Sequence, residues 1–380
     1  MRKNVFHRTG RRLPIAFFLP NEAPLGFQIA AAHSDSPALY VTGEKHDGRY
    51  VRLSVEKYGG PLSATWYDRP LRLAGRVFVK EGSGARAVLF DAEKPVFLPS
   101  VAPHQNREAE TKVMSDPHRD LLPLFGMDTG EELLKKTVAE RLGVSEDSIL
   151  SHDLYLTAAN EPTLWGDDFI SAPRLDDLLC VYALLQGFLK AEPTRAIPIF
   201  AVFNGEEIGS TLYEGANSDF LDRTLTRVCE ALSLPKAEML ARSFFVSADN
   251  AHGIHPSHPE LYNAESSCVP NGGVVIKETA SRRYTTSGFS AAMTRLLCEE
   301  AGVPVQVFRN RPDLPGGGTL GAIATTHTSV PAVDIGLAQL AMHSACETAG
   351  MRDVSHLTAL AKHYFSVSLT YTDGGAFWQK

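Results

Sequence analysis

The chain has 380 residues, a net charge of −7, 44% hydrophobic and 21% charged residues. This is the composition of a globular protein of about two domains, at roughly 100–200 residues per domain. The acidic balance argues against a nucleic-acid binder, no apolar run approaches the ~20 residues of a membrane span, and five scattered cysteines without a CxxC pair point to a reducing compartment.

The N-terminal segment is basic (Arg2, Lys3, Arg8, Arg11, Arg12) and leads into the apolar Ile15–Leu19, between Pro14 and Pro20. That core is shorter than the ~7–15 residues of a signal-peptide h-region, so a cytoplasmic protein is expected. Gly26–Ala32 reads as a strand that delivers His33. From about Thr42 the texture changes: Val51–Val55 and Arg76–Lys80 alternate like half-exposed antiparallel strands. One helix is expected among them, with Thr129 and Glu132 as a capping box and Leu133, Leu134, Val138 and Leu142 as its apolar face.

From Phe169 helices alternate with buried strands. Leu175–Lys190 is helical, Ile197–Phe203 is a strand, and a helix follows over about 215–232. Strands at 243–247 and 273–277, a helix over about 287–301, strands at 303–308 and 330–335, and a helix from about Val354 to Leu369 complete the pattern. The expected fold is α/β, a mixed, mostly parallel sheet with helices on both faces, interrupted by a β-rich insertion. The boundaries read are 1–41 and 163–380 for the α/β domain and 42–162 for the insert.

The chemistry gathers at strand ends. Glu206 and Glu207 follow the 197–203 strand, Asp249 the 243–247 strand, and His343 stands a short loop beyond the 330–335 strand. Asp176 opens the long helix. In an open parallel sheet the carboxyl ends of the strands share one edge, so these residues converge with His33. Imidazoles and carboxylates without thiolate suit zinc or a similar divalent ion. One bridging carboxylate, with one His and one acid per ion, would build a two-metal site of the kind found in aminopeptidases. Adjacent carboxylates at a buried strand end also allow one to bind metal while its neighbour moves a proton. The residues alone leave open which of Glu206 and Glu207 is the base.

Several motifs stand in the order of a known family. They include Ala32-His33-Ser34-Asp35-Ser36-Pro37, Val55-Glu56-Lys57-Tyr58-Gly59-Gly60, Thr65-Trp66-Tyr67-Asp68-Arg69 and Ala172-Pro173-Arg174-Leu175-Asp176-Asp177-Leu178. Asn204–Ser210, Ser247–His252, Pro315–Gly321 and Gln339–Ser344 complete the set. With these the chain resembles the aspartyl aminopeptidases, dinuclear zinc exopeptidases, over nearly its whole length.

The resemblance implies a ligand assignment: His33 and Asp249 on one ion, Glu207 and His343 on the other, Asp176 bridging. It makes Glu206 the general base and Asp35 a residue that orients the site. The ions are expected to be Zn2+, with Mn2+ or Co2+ as alternatives. Lys277 is expected to meet the acidic side chain of an N-terminal Asp or Glu, with Tyr284 and His252 in the pocket and Gly317 as backbone close to the substrate. His104 is expected to act from the insert of a neighbouring subunit, because the family assembles dimers into dodecamers through that insert. The implied partners are peptides and further copies of the chain, with no nucleic acid and no membrane.

The chain departs from the family pattern in places. Asn204-Gly205 stands where the family usually has Asp-Asn, Asp177 replaces Asn and Cys346 replaces Arg, and the family's N-terminal helical segment is expected to be missing ahead of the strand that delivers His33. The rival readings are a broader-specificity or deblocking metalloaminopeptidase, and an idle assembly or cargo protein. Retention of Glu206 argues against the latter.

Overall fold

The computed structural model describes residues 4–9, 13–108, 116–314 and 316–379. The basic positions Arg2, Lys3, Arg11 and Arg12, and Pro315 of the glycine-rich run, lie outside them.

The chain begins with a hairpin, β1 (Asn4–Thr9) and β2 (Leu13–Phe18), and the strand β3 (Gly26–His33). A strand-rich stretch follows: β4 (Ala38–His46), β5 (Tyr50–Tyr58), β6 (Leu71–Glu81), β7 (Gly84–Val96), β8 (Leu124–Met127), α1 (Leu133–Leu142) and β9 (Ile149–Ala158). Then come β10 (Thr163–Trp165), β11 (Phe169–Ala172), α2 (Leu175–Lys190), β12 (Ala196–Phe203), α3 (Phe220–Leu232), α4 (Lys236–Ala241) and β13 (Phe244–Ala248). The remainder is β14 (Ala251–His252), β15 (Val274–Lys277), α5 (Gly288–Ala301), β16 (Val305–Phe308), α6 (Leu320–Thr328), β17 (Ala332–Gly336), β18 (Ala338–Leu340), β19 (Glu347–Gly350), α7 (Met351–Tyr364), β20 (Ser368–Thr372) and β21 (Gly375–Gln379).

The main sheet has eight strands in the order β1-β2-β12-β3-β13-β17-β15-β16. β12, β3, β13 and β17 run parallel to their neighbours in the middle, and antiparallel pairing is confined to β1–β2, β2–β12 and β15–β17. This is the mixed, mostly parallel sheet that the unbroken apolar runs predict. α2, α5 and α7 cover one face with Leu184, Phe188, Leu297 and Leu357, and α3, α4 and α6 cover the other with Phe220, Leu225, Met239 and Leu320. Each such side chain contributes about 1.5–3 kcal/mol by leaving water.

β3 lies near the centre, and all eight of its residues are buried. Its small residues permit close packing: a Cβ on Gly26 would come within 2.3 Å of the Arg242 carbonyl oxygen.

A six-stranded antiparallel sheet, in the order β7-β6-β9-β4-β5-β8, has its own core. Leu39, Leu53, Leu71, Val77 and Leu156 fill it, and Leu134 and Val138 of α1 close it.

Two local expectations are corrected, and one stretch that had no element assigned is placed. α1 has no side-chain cap of its own; Glu44 of β4 accepts the Leu133 and Leu134 amides at 2.9 and 2.6 Å instead of the Thr129–Glu132 box. The apolar stretch after the basic N-terminus is β2, the second strand of the main sheet, with Ile15–Phe18 buried and paired antiparallel to both β1 and β12. The last helix stops at Tyr364, because Ser368 onward turns into the β20–β21 hairpin.

Candidate active site

The carboxyl ends of β3, β12 and β13 lie side by side. Register pairs His33 with Phe203 and Ala31 with Ser247, and the Ser34 amide donates to the Phe203 carbonyl at 3.0 Å. Beyond Phe203 the chain turns through a short 3-10 segment, Glu206–Ile208, bracketed by Gly205 at φ 75° and Gly209 at φ 91°. The Asn204-Gly205 departure fits this turn. Left-handed backbone suits glycine as well as the Asn it replaces. The Asn204 amide donates to Glu214 Oε2 at 3.0 Å, where an Asp would meet a like charge.

Asp176 is the hub. Its Oδ1 lies 3.6 Å from His33 Nε2 and its Oδ2 3.7 Å from His343 Nε2. His343 Nε2 is also 3.3 Å from Glu207 Oε2. Donor atoms of His33, Asp176 and Glu207 all lie within 4.8 Å of one another, and so do those of Asp176, Asp177 and Asp249. Both imidazoles are oriented the same way. His33 Nδ1 faces the Asp35 carbonyl at 3.0 Å and His343 Nδ1 the Gly60 carbonyl at 3.1 Å. Burial opposes charge on His33, but Asp176 and Asp35 outweigh it and hold the imidazole pKa up, so its Nε2 proton faces Asp176; a bound cation would take that proton's place while each Nδ1 keeps its carbonyl partner.

The acids have opposite fates. Burial, reinforced by Asp249, pushes Glu206 up to about 8. Burial, reinforced by Asp176, pushes Glu207 up to about 10. Burial also opposes charge on Asp176, but His33 outweighs it and holds that carboxyl below its usual value. Asp177 is fully buried and pushed well up by that burial. A neutral Asp177 is the nearest acid to the amide that the family carries there.

Asp176 Oδ1, Asp177 Oδ1 and Glu207 Oε1 are buried without a hydrogen-bond partner. Each such orphan costs about 1–3 kcal/mol. A divalent cation in this donor set would satisfy the carboxylates and reverse the upward shifts, so the residues fit zinc.

Asp35 sits behind the site rather than in it. Its Oδ1 accepts the Glu206 amide at 3.1 Å, and its Oδ2 accepts the Glu207 amide at 3.2 Å and the Tyr58 hydroxyl at 2.9 Å. Burial would raise Asp35, but His33, Tyr58 and the Glu206 amide more than offset this and hold it low.

Lys277 is buried, not solvated at a strand end. Its Nζ donates to the Asn250 carbonyl at 2.8 Å, lies 3.6 Å from Asp249 Oδ2 and stands 5.3 Å over the Tyr284 ring. His252 packs its ring edge on Phe308 at 5.9 Å and remains exposed. His104 lies in an exposed loop and forms no hydrogen bond or ion pair with the cluster among the described residues. Gly317 has open space around it, whereas Gly316 and Gly321 of that run are crowded: a Cβ would lie 2.2 Å from Asn310 Nδ2 at Gly316 and 2.6 Å from Ser247 Cβ at Gly321.

One residue was not singled out from the sequence. Glu347 is fully buried, and its two oxygens accept the His343 amide at 2.7 Å and the Asp176 amide at 3.0 Å. Burial and the Asp176 charge push it up to about 8. An acid four residues beyond a candidate ligand is the only signal the sequence holds.

The model of the family described as Aminopeptidase I zinc metalloprotease (M18) matches residues 3–365. A probable M18 family aminopeptidase 2 of Clostridium acetobutylicum is 35% identical over 360 residues, covering 91% of this chain and 83% of the relative. One of Pseudomonas paraeruginosa is 36% identical over 371 residues, covering 93% and 85%. Among solved structures, a chain of the Ape4 and Nbr1 complex superposes with a TM-score of 0.90 at 30% identity, covering 95% of this chain and 76% of that one. Chaetomium thermophilum mApe1 superposes at 0.83 with 29% identity, covering 96% and 86%. Among the described residues no helix is long and apolar enough to cross a membrane. With a site that fits zinc, a family match along almost the whole sequence and relatives named for the activity, the chain belongs to the M18 aminopeptidases and is a zinc metalloaminopeptidase.

Proposed function

We propose that the enzyme is a two-metal aminopeptidase that removes N-terminal residues from peptides and prefers Asp and Glu. The observation that carries the two-ion reading is the position of Asp176, whose two oxygens face different imidazoles. His33, Asp249 and Asp176 would hold one zinc, and Glu207, His343 and Asp176 the other. Bound, the ions supply Lewis-acid polarisation of the scissile carbonyl and the attacking water.

The chain's own residues do the rest. Glu206 lies at the same sheet edge, close enough for the Asp249 and Asp176 charges to act on it, and its carboxylate suits a group that takes a proton from water and returns it to the leaving amine. Asp35 orients the Glu206–Glu207 turn through its backbone amides.

The acidic preference rests on Lys277. Among the described residues its ammonium makes one hydrogen bond, to the Asn250 carbonyl. The remaining donors are available to a substrate carboxylate, with the Tyr284 face beside them. His252 and Gly317 would line the outer part of that pocket.

Residues 42–162 would form the oligomerisation domain, inserted between the catalytic segments 1–41 and 163–380. His104, exposed in that insert, would then complete the site of a neighbouring copy by polarising the substrate carbonyl, in a dodecamer assembled from dimers. The five cysteines are all free, four of them buried, which supports a cytoplasmic enzyme.

The test is a panel of aminoacyl chromogenic substrates on chelator-stripped protein given Zn2+, Mn2+ or Co2+. Asp and Glu substrates should be cleaved best. Faster cleavage of neutral substrates would make it a broader-specificity enzyme, and no cleavage with any ion an assembly protein.

A further inference from the structure

We propose that Tyr58, at the end of β5, is a positioning residue of the reaction, setting the placement of Glu206 and Glu207 through Asp35. The inference rests on the reading of Glu206 as base and Glu207 as ligand. It makes the six-stranded sheet part of the catalytic machinery rather than only a platform for assembly.

The carboxylate of Asp35 is a junction. Its Oδ1 accepts the Glu206 amide at 3.1 Å and lies 3.5 Å from His33 Nδ1. Its Oδ2 accepts the Glu207 amide at 3.2 Å and the Tyr58 hydroxyl at 2.9 Å. Three of these four neighbours are parts of the candidate site itself. Tyr58 is the one that comes from the other sheet, and so the one that can fix Asp35 against an outside frame. Its side-chain partner carries a negative charge, which makes this bond stronger than a neutral one. Burial and the Asp35 charge both push the phenol upward, so the hydroxyl remains a donor.

The ring that carries the hydroxyl is held. It meets Tyr155 edge-on at 5.6 Å, and Tyr155 meets Tyr40 at 5.1 Å. Tyr40 and Tyr155 are cross-strand partners of β4 and β9. An aromatic series therefore runs from the middle of the six-stranded sheet to Asp35. Two-torsion aromatic side chains packed this way have little freedom to lose when they position a partner.

The residues after Tyr58 reach the same place. Gly59, at φ 69°, would put a Cβ 3.0 Å from Glu207 Cβ. The Gly60 carbonyl accepts His343 Nδ1, the Leu62 amide donates to the His343 carbonyl at 2.9 Å, and the Ala345 amide donates to Thr65 Oγ1 at 2.9 Å. The segment from Tyr58 to Thr65 thus touches both residues assigned to one ion.

The experiment compares Tyr58→Phe, Tyr58→Leu and Glu206→Gln with the zinc-loaded full-length enzyme. It measures kcat, KM, thermal midpoint, assembly and the rate of zinc release to a chelator. Tyr58→Phe keeps the ring and removes only the hydroxyl. Its expected result is unchanged assembly and midpoint, KM within about twofold, kcat lower by about tenfold and zinc released several-fold faster. Wild-type kcat and zinc release in Tyr58→Phe, with a defect only in Tyr58→Leu, would show that the ring merely packs and would overturn the proposal. A Tyr58→Phe loss that follows only a lower midpoint or a broken assembly would overturn it as well. If Glu206→Gln is fully active, the underlying reading of the base fails. If Glu206→Gln is dead while Tyr58→Phe is normal, only the positioning role fails.

Discussion

Lys277 Nζ lies 3.6 Å from Asp249 Oδ2, beyond a hydrogen bond but well within charge-pair distance, in a site where neither side chain is more than a tenth exposed. The cation assigned to substrate thus also neutralises a residue assigned to metal. Burial raises Asp249, and Lys277 offsets part of that rise.

This double placement makes Lys277→Ala diagnostic. If the ammonium meets an acidic side chain, kcat/KM for Asp and Glu substrates should drop by about 10- to 100-fold and neutral substrates should change by only a few-fold. An equal loss on every substrate, with zinc released more readily, would assign Lys277 to Asp249 instead.

Glu206→Gln keeps the shape of the turn and removes the basic oxygen. Turnover should drop by about 10²–10⁴-fold, the range of general-base contributions, while zinc content measured by atomic absorption stays at the wild-type level. Undiminished turnover would move the proton to another group.

Glu347→Gln tests the staple between Asp176 and His343. A carboxamide has one acceptor oxygen, so one of the two amides would face an N–H2 group. Zinc affinity measured by chelator competition should weaken by about 10- to 100-fold, with KM little changed in the fully loaded enzyme. Wild-type affinity would reduce Glu347 to a buried acid of the core.

Metal-free protein should become less stable as pH rises. Glu206 and Glu207 titrate near about 8 and about 10 in the empty fold and at ordinary carboxyl values when unfolded. Between those values the folded state binds the extra protons, so stability is greatest at the acid side and declines from about pH 5 to about pH 10. Calorimetry of the chelated protein should show a falling midpoint across this window, and added zinc should reverse the trend. A flat profile would indicate that other groups neutralise the cluster.

The candidate site was legible where chemistry coincides with periodicity. The buried runs of β3 and β12, each unbroken and followed by polar punctuation, put His33 and the Glu206–Glu207 pair at one sheet edge before any coordinates. α2 was found at Leu175–Lys190 because its apolar residues recur at helical spacing. What escaped is long-range bonding to backbone. Glu44 caps α1 from another strand, and Glu347 ties Asp176 to His343 across much of the sequence. A carboxylate that accepts remote amides has no local pattern. The Asn204-Gly205 change also becomes intelligible only once Glu214 and the left-handed turn are in view.

The loop from His343 to Glu347 runs directly into β19 and α7, and α7 packs on α2, the helix whose first turn holds Asp176. A growing chain therefore lacks the second imidazole and the Glu347 staple until the element that closes this face of the sheet is about to be made. Hydrolytic capacity and a finished core arrive at nearly the same moment of synthesis. Under the two-ion reading, a product that terminates before His343 would lack donors for one of the ions.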